Sequence, residues 1–183
     1  IDIPAGLLFG YLFFRLFHPN YYLMSIGGTP LFGIGTSLGT IGFINAMFEL
    51  KEQIDQNIIP EPDVIFVPGG STGTGAGLIA GCKLLGLKTY IKIVNVSKDI
   101  VVNNSSVMKN ANKAINYLRN YDKTIQDISV TLHDFEIVQG YLGSDYGVKT
   151  KNGQHAVDLV MEKEGEKRGF KLDTTYTGKS MAA

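Results

Sequence analysis

The chain alternates between short β-branched apolar runs and longer stretches whose apolar residues recur every three to four positions. The clearest strand patterns are Val64-Ile65-Phe66-Val67, Lys88 to Val96 and Phe135-Glu136-Ile137-Val138. Helical spacing covers roughly Thr40 to Asn57, with Ile41, Ile44, Met47, Phe48 and Ile54 on one face, and Thr74 to Leu85, with Gly86 as its expected C-cap. It returns over Val101 to Tyr121, through Val107, Ala111, Ala114, Ile115 and Leu118, and from Asn152 to about Lys163. Two further strands are expected at Tyr21 to Ile26 and Phe170 to Asp173, with a last helix entered through Thr174 to Ser180. Strands alternating with helices predict an α/β fold: an open, mostly parallel sheet with helices on both faces. Ligands of such sheets bind at the carboxyl ends of the strands. The turns at Gly27, Gly69 and Thr174 are therefore expected along one edge.

The run Ala5 to Phe17 is apolar nearly all round and is expected to be a buried or interface helix. Its length of about 13 residues falls short of the roughly 20 needed to span a bilayer, and it contains Arg15. It also lacks the basic start and cleavage pattern of a signal peptide. The chain opens on Ile1 and closes just inside a helix, which reads as a fragment of a longer protein.

Composition narrows the class. Hydrophobic residues make up 44% and charged residues 19%, which favours a globular core over disorder. The formal net charge is zero with no basic run, so a nucleic-acid surface is not indicated. The one cysteine, Cys82, allows no internal disulfide and suits a reducing, cytoplasmic setting. His18, His133 and His155 are too scattered to form a metal site by spacing. Asn95-Val96-Ser97 and Asn104-Ser105-Ser106 are glycosylation sequons in form only, since nothing indicates secretion.

The chemistry concentrates in Pro68-Gly69-Gly70-Ser71-Thr72-Gly73-Thr74-Gly75-Ala76-Gly77, which follows a strand and opens a helix. Glycines let backbone N–H groups converge, Ser and Thr add hydroxyl donors, and the helix end carries partial positive charge. A phosphate suits that combination. The competing reading is a tight turn whose glycines serve only close helix–sheet packing. No lysine follows these glycines as a Walker A loop requires, and Gly178-Lys179-Ser180 fails the same test because the first glycine falls at Asp173. The Rossmann fingerprint fails at Leu78, and the next strand ends near Asn95 without an acidic residue for a ribose. A small phosphorylated cofactor remains.

Three segments in order carry a resemblance. They are Tyr22 to Thr29 with Gly39 to Leu50, the loop Gly70 to Leu78, and Leu172-Asp173-Thr174-Thr175-Tyr176-Thr177-Gly178-Lys179-Ser180-Met181. Together they resemble the D-cysteine desulfhydrase and 1-aminocyclopropane-1-carboxylate (ACC) deaminase family. These are pyridoxal 5'-phosphate (PLP) enzymes of the tryptophan-synthase-β-like fold type II. The resemblance implies that Gly70, Ser71, Thr72, Gly73 and Thr74 cradle the cofactor phosphate. It implies that Tyr176 is catalytic, stacking on the ring or moving a proton; taken alone, Tyr176 reads as a packed tyrosine. At Thr177, ACC deaminases tend to carry Glu and desulfhydrase-like members a small hydroxyl residue, so Thr177 is the implied specificity position. The implied reaction is β-elimination from D-cysteine to pyruvate, ammonia and sulfide. ACC deaminase or another amino-acid lyase is the alternative, and a non-catalytic phosphate- or PLP-binding module is a second.

The chain departs from the family in two places. The Gly28 to Gly39 turn is a few residues longer, and no Gly-rich Asn-Lys segment matches the family's cofactor-bearing lysine. Lys51, Lys83, Lys88 and Lys113 fall on predicted helices or strand edges. The expectation is therefore a large cofactor domain over 21–183, C-terminally incomplete, preceded by a helical segment over 1–20 that ends or connects a smaller domain. The isolated chain is expected to be inactive. The family further implies a small amino-acid substrate and a homodimer of the complete protein, without nucleic acid, membrane or metal.

Overall fold

The computed structural model describes residues 13, 16–18, 20, 28, 37–165 and 168–183. The elements in order are α1 (Leu38–Asp55), β1 (Val64–Gly69), α2 (Gly73–Leu85), β2 (Tyr90–Asn95), α3 (Asn104–Tyr121), β3 (Phe135–Val138), α4 (Lys151–Val160) and α5 (Thr177–Met181). A π-helical turn, Met161–Gly165, continues α4. The strands form one parallel sheet in the order β1-β2-β3. Val64 aligns with Tyr90 and Gly69 with Asn95; Ile91 aligns with Phe135 and Val94 with Val138. The parallel sheet flanked by helices is the architecture that the alternating pattern predicts.

Register sorts the strand residues onto two faces. Val67 and Ile93 pair on one face, and both lie against Gly75 of α2. On the other face Phe66, Lys92 and Glu136 align across all three strands. The Lys92 ammonium sits 5.9 Å from the Phe66 ring centroid and 2.9 Å from a Glu136 carboxylate oxygen. This row is a cross-strand set of solvent-side contacts. Gly70, just past β1, faces Tyr176 at the start of α5.

α2 is sandwiched between α1 and the sheet, and its composition explains how. A Cβ at Gly77 would fall 2.4 Å from the Thr40 carbonyl oxygen, and one at Gly81 2.5 Å from Met47 Cβ. The two helices thus meet through a glycine stripe that no larger residue could replace without moving backbone. Gly86 ends α2 in the left-handed conformation, φ +65°, as a C-cap glycine does. The core runs from Ile44 and Met47 through Ile79, Ile91 and Ile93 to Val107, Ala111, Ala114 and Ile115 of α3. Cys82 is buried in it, and burial beside the Glu61 charge pushes its thiol up to about 12.

The structure corrects several expected boundaries. No strand forms over Phe170 to Asp173: the segment is irregular and Phe170 is exposed. Alternation in a four-residue run gives a strand only if an open sheet edge lies alongside, and Asp173 instead folds back onto the next turn. α3 begins at Asn104 rather than Val101, because Asn103 caps it by accepting the Ser106 N–H at 2.9 Å. Thr150 caps α4 in the same way from the Gly153 N–H. The expected strand at Tyr21 to Ile26, most of the Gly28 to Gly39 turn and most of the Ala5 to Phe17 run lie outside the described residues. Of that run, Phe13, Leu16 and Phe17 are helical and exposed. No helix among the described residues is long and apolar enough to cross a membrane.

Candidate functional site

The carboxyl ends of β1 and β2 are locked together where the Gly-rich loop leaves the sheet. The Val96 N–H donates to the Gly69 carbonyl at 3.2 Å. Asn95 is buried and accepts the Ser97 N–H, while its amide donates to Asp99 and Gln139 at 2.8 and 2.9 Å. That amide joins the ends of β2 and β3. The loop itself runs from Gly70 to Thr72 and enters α2 at Gly73. Thr72 is buried, holds φ +67° and contributes no side-chain cap to α2. Its hydroxyl oxygen accepts from Asn110 Nδ2 of α3 at 2.6 Å. The first N–H groups of a helix have no partner within the helix, and at α2 the N-cap side chain does not supply one.

The second side of the site comes from the C-terminal turn. Asp173 organises it. One carboxylate oxygen accepts the Thr175 and Tyr176 N–H groups at 2.8 and 2.7 Å; the other accepts the Thr177 N–H at 3.0 Å and its hydroxyl at 2.7 Å. Desolvation pushes the Asp173 carboxyl up, but these hydrogen bonds, led by the Thr177 hydroxyl, outweigh it and hold the group at about 2. The turn delivers the Tyr176 ring to the loop. A Cβ built on Gly70 would lie 3.1 Å from Tyr176 Cε1, so any larger residue there would press on the ring. The Tyr176 hydroxyl is in hydrogen-bond contact with the Tyr146 hydroxyl, and the two rings meet edge-on with centroids 6.1 Å apart.

Two of the three expected turns therefore converge on the edge: the loop after Gly69 and the turn after Thr174. The expected site residues Gly70, Ser71, Thr72, Gly73 and Thr74 form one continuous loop and helix start, with Tyr176 against its first residue. Thr177 is one residue further, exposed, with its hydroxyl engaged by Asp173. Tyr146, Asn110 and Asp173 did not stand out in the sequence. Tyr146 sits in an irregular Gly-Ser-Asp-Tyr-Gly loop, and Asn110 is one polar residue on an amphipathic helix; neither pattern signals a partner 30 or 38 residues away. Asp173 two to four residues before a helix start is the one that capping rules could have picked out.

Lys179 is fully buried, and its ammonium donates to the Leu142 carbonyl at 2.6 Å. Burial pulls its pKa down. This bond ties α5 to the loop that carries Tyr146. The other lysines considered lie elsewhere. Lys51 pairs with Asp55 along α1, Lys83 with Asp134, and Lys113 is exposed on α3. Lys88 precedes β2, at the opposite edge of the sheet. A separate groove of about 390 Å³ is lined by Gln139, Gly140, Tyr141, Thr150, Lys151 and Asn152, with none of the β1–α2 loop in it.

The loop's donor chemistry fits a phosphate: hydroxyls, a helix start without a side-chain cap, and glycines at the close approach to Tyr176 and Ile93. Among the described residues the buried hydroxyls of Thr40, Ser97 and Ser180 have no protein partner. No three of the described His, Cys, Asp and Glu residues are grouped to hold a metal ion.

Comparison with known proteins defines the fold first. The chain aligns over its whole length with half of a crystal structure described as an ACC deaminase homologue, with a TM-score of 0.71 and 21% sequence identity. Among curated proteins it is similar to D-cysteine desulfhydrases. It is 28% identical to that of Serratia proteamaculans (strain 568) over 162 residues, and 29% identical to that of Klebsiella pneumoniae (strain 342) over 161. Each alignment covers 88% of this chain and 43% of the relative, so the chain spans somewhat under half the length of the curated proteins it matches. No family model matches.

Proposed function

We propose that this chain forms the cofactor-phosphate half of a PLP-dependent carbon–sulfur lyase of D-cysteine desulfhydrase type. The observation that carries the proposal is the placement of Tyr176 against Gly70, which joins the expected catalytic residue to the expected phosphate loop at the ligand-binding edge of a parallel sheet. Gly70 to Thr74 and the start of α2 hold the phosphate through backbone N–H groups and hydroxyls. Bound PLP supplies the electron sink for breaking the α-hydrogen and carbon–sulfur bonds. Tyr176 would lie beside the cofactor when it is bound, and its hydroxyl, in contact with that of Tyr146, is placed to hold or pass a proton. Asp173 fixes Tyr176 through its backbone N–H and fixes Thr177 through its hydroxyl, so the specificity position is small and oriented. The substrate is a small amino acid, D-cysteine before ACC, and the working unit is a homodimer in the cytoplasm.

The test is an assay of the complete protein with added PLP for sulfide and pyruvate from D-cysteine, set beside ammonia release from ACC. Faster turnover of D-cysteine, with a loss of about a hundredfold or more in Tyr176→Phe, supports the reading. Dominant ACC turnover overturns the specificity assigned to Thr177. PLP binding without turnover of either substrate supports a non-catalytic PLP-binding module.

A further inference from the structure

The N-cap of α2 is a residue suited to capping that does not cap. Threonine ordinarily closes a helix start by accepting a hydrogen bond from a first-turn N–H. The Thr72 side chain makes no such bond. Its Oγ1 is taken by Asn110 Nδ2 at 2.6 Å, from a helix 38 residues further along the chain. Both partners are buried, at 3% and 5% exposure, so water does not compete for this bond. Thr72 also holds φ +67°, a left-handed conformation that β-branched residues rarely adopt. Such a conformation persists only where its surroundings enforce it.

A threonine that capped its own helix would compete with a phosphate for the same N–H groups. With its oxygen accepting from Asn110, Thr72 leaves those N–H groups to an incoming anion, and its own O–H remains a donor. A glycine would take the same φ without strain but would bring no hydroxyl. Resting on the reading of this loop as a phosphate cup, we infer that Asn110 is a positioning residue for the cofactor phosphate. It holds the Thr72 hydroxyl away from the α2 N-terminus and so keeps that end open. The role belongs to α3, an element outside the β1–α2 loop.

The experiment titrates the purified protein with PLP, with unphosphorylated pyridoxal and with inorganic phosphate, and records melting temperature alongside. Asn110→Ala is expected to weaken PLP and inorganic phosphate by about tenfold, the effect of one buried hydrogen bond lost, and pyridoxal by less than about twofold. Asn110→Leu, similar in size but without the amide donor, is expected to do the same, and it carries the test if Asn110→Ala does not fold. In a Thr72→Val background, which lacks the hydroxyl that Asn110 holds, Asn110→Ala is expected to change PLP affinity by less than about twofold. Equal weakening of PLP and pyridoxal means a merely structural role and overturns the inference. Unchanged PLP affinity in folded Asn110 variants overturns it too, while leaving the phosphate cup standing. An unaltered protein that binds neither PLP nor inorganic phosphate overturns the cup and the inference together.

Discussion

The two sides of the site are built by opposite means. The phosphate side is held by backbone packing. Gly75 and Gly77 put α2 against Ile93 and against the backbone of α1, and Thr72 is clamped from α3. The tyrosine side is held by polar side chains rather than by backbone packing. Asp173 gathers three backbone N–H groups and a hydroxyl, and Lys179 pins the loop of Tyr146 through one carbonyl. A packed backbone on the side proposed to hold a phosphate, and side-chain hydrogen bonds on the side proposed to meet substrate, is the division expected of a site that fixes its cofactor and admits a guest. The contrast also separates stability from function, because the first side belongs to the core and the second does not.

The sharpest way to break the contrast is Gly77→Ala. Its Cβ would meet the Thr40 carbonyl oxygen and the Phe43 backbone, which cannot swing aside as a side-chain tip can. Overpacking of that kind costs about 2–3 kcal/mol, so the urea midpoint is expected to fall clearly. A midpoint within experimental error of the unaltered protein would show that α1 and α2 are not locked together. Next in size is Asp173→Ala, which strips the turn of its acceptors at about 1 kcal/mol. Hydrogen exchange should rise at Thr175 to Thr177 and stay unchanged in α2. Lys179→Met comes third. Removing a buried ammonium offsets the loss of its bond to Leu142, so global stability is expected to move by less than about 1 kcal/mol. The Tyr146–Tyr176 contact should nonetheless loosen, read as faster exchange across 140–147.

The smallest effect is in pH. The Asp173 carboxyl is held at about 2 in the folded protein, below the value near 3.9 of an unfolded aspartate. A depressed folded value means that the stabilisation is complete above about pH 4 and is lost as pH falls through about 2. A carboxyl-carbon titration should give a midpoint near 2, with the Tyr176 amide shift following it. A midpoint near 4 would mean that the turn is not gathered on this carboxylate. In the same spirit Cys82, held at about 12, should resist thiol reagents at pH 8 until the protein unfolds.

Much of the phosphate side was legible because it is local. A β-branched run, a glycine-rich turn and a small-residue helix start are consecutive in sequence, and their meaning depends on backbone conformation that composition reveals. The parallel order of the strands followed from alternation with helices. The tyrosine side was legible only at Tyr176 and Thr177, and then through resemblance. The Phe170 to Asp173 segment looked like a strand because alternation is blind to whether an edge is available.

By itself the sequence determined the α/β class and the strand–loop–helix that opens at Gly69. Those depend on residues close together in the chain. Only the tertiary structure decided that Asn110 grips Thr72, that Tyr146 meets Tyr176, and that Lys179 lies buried under Leu142. Each of those contacts joins residues 30 to 38 apart, where side-chain direction is set by how helices pack on the sheet. Pattern within one segment carries no information about that packing.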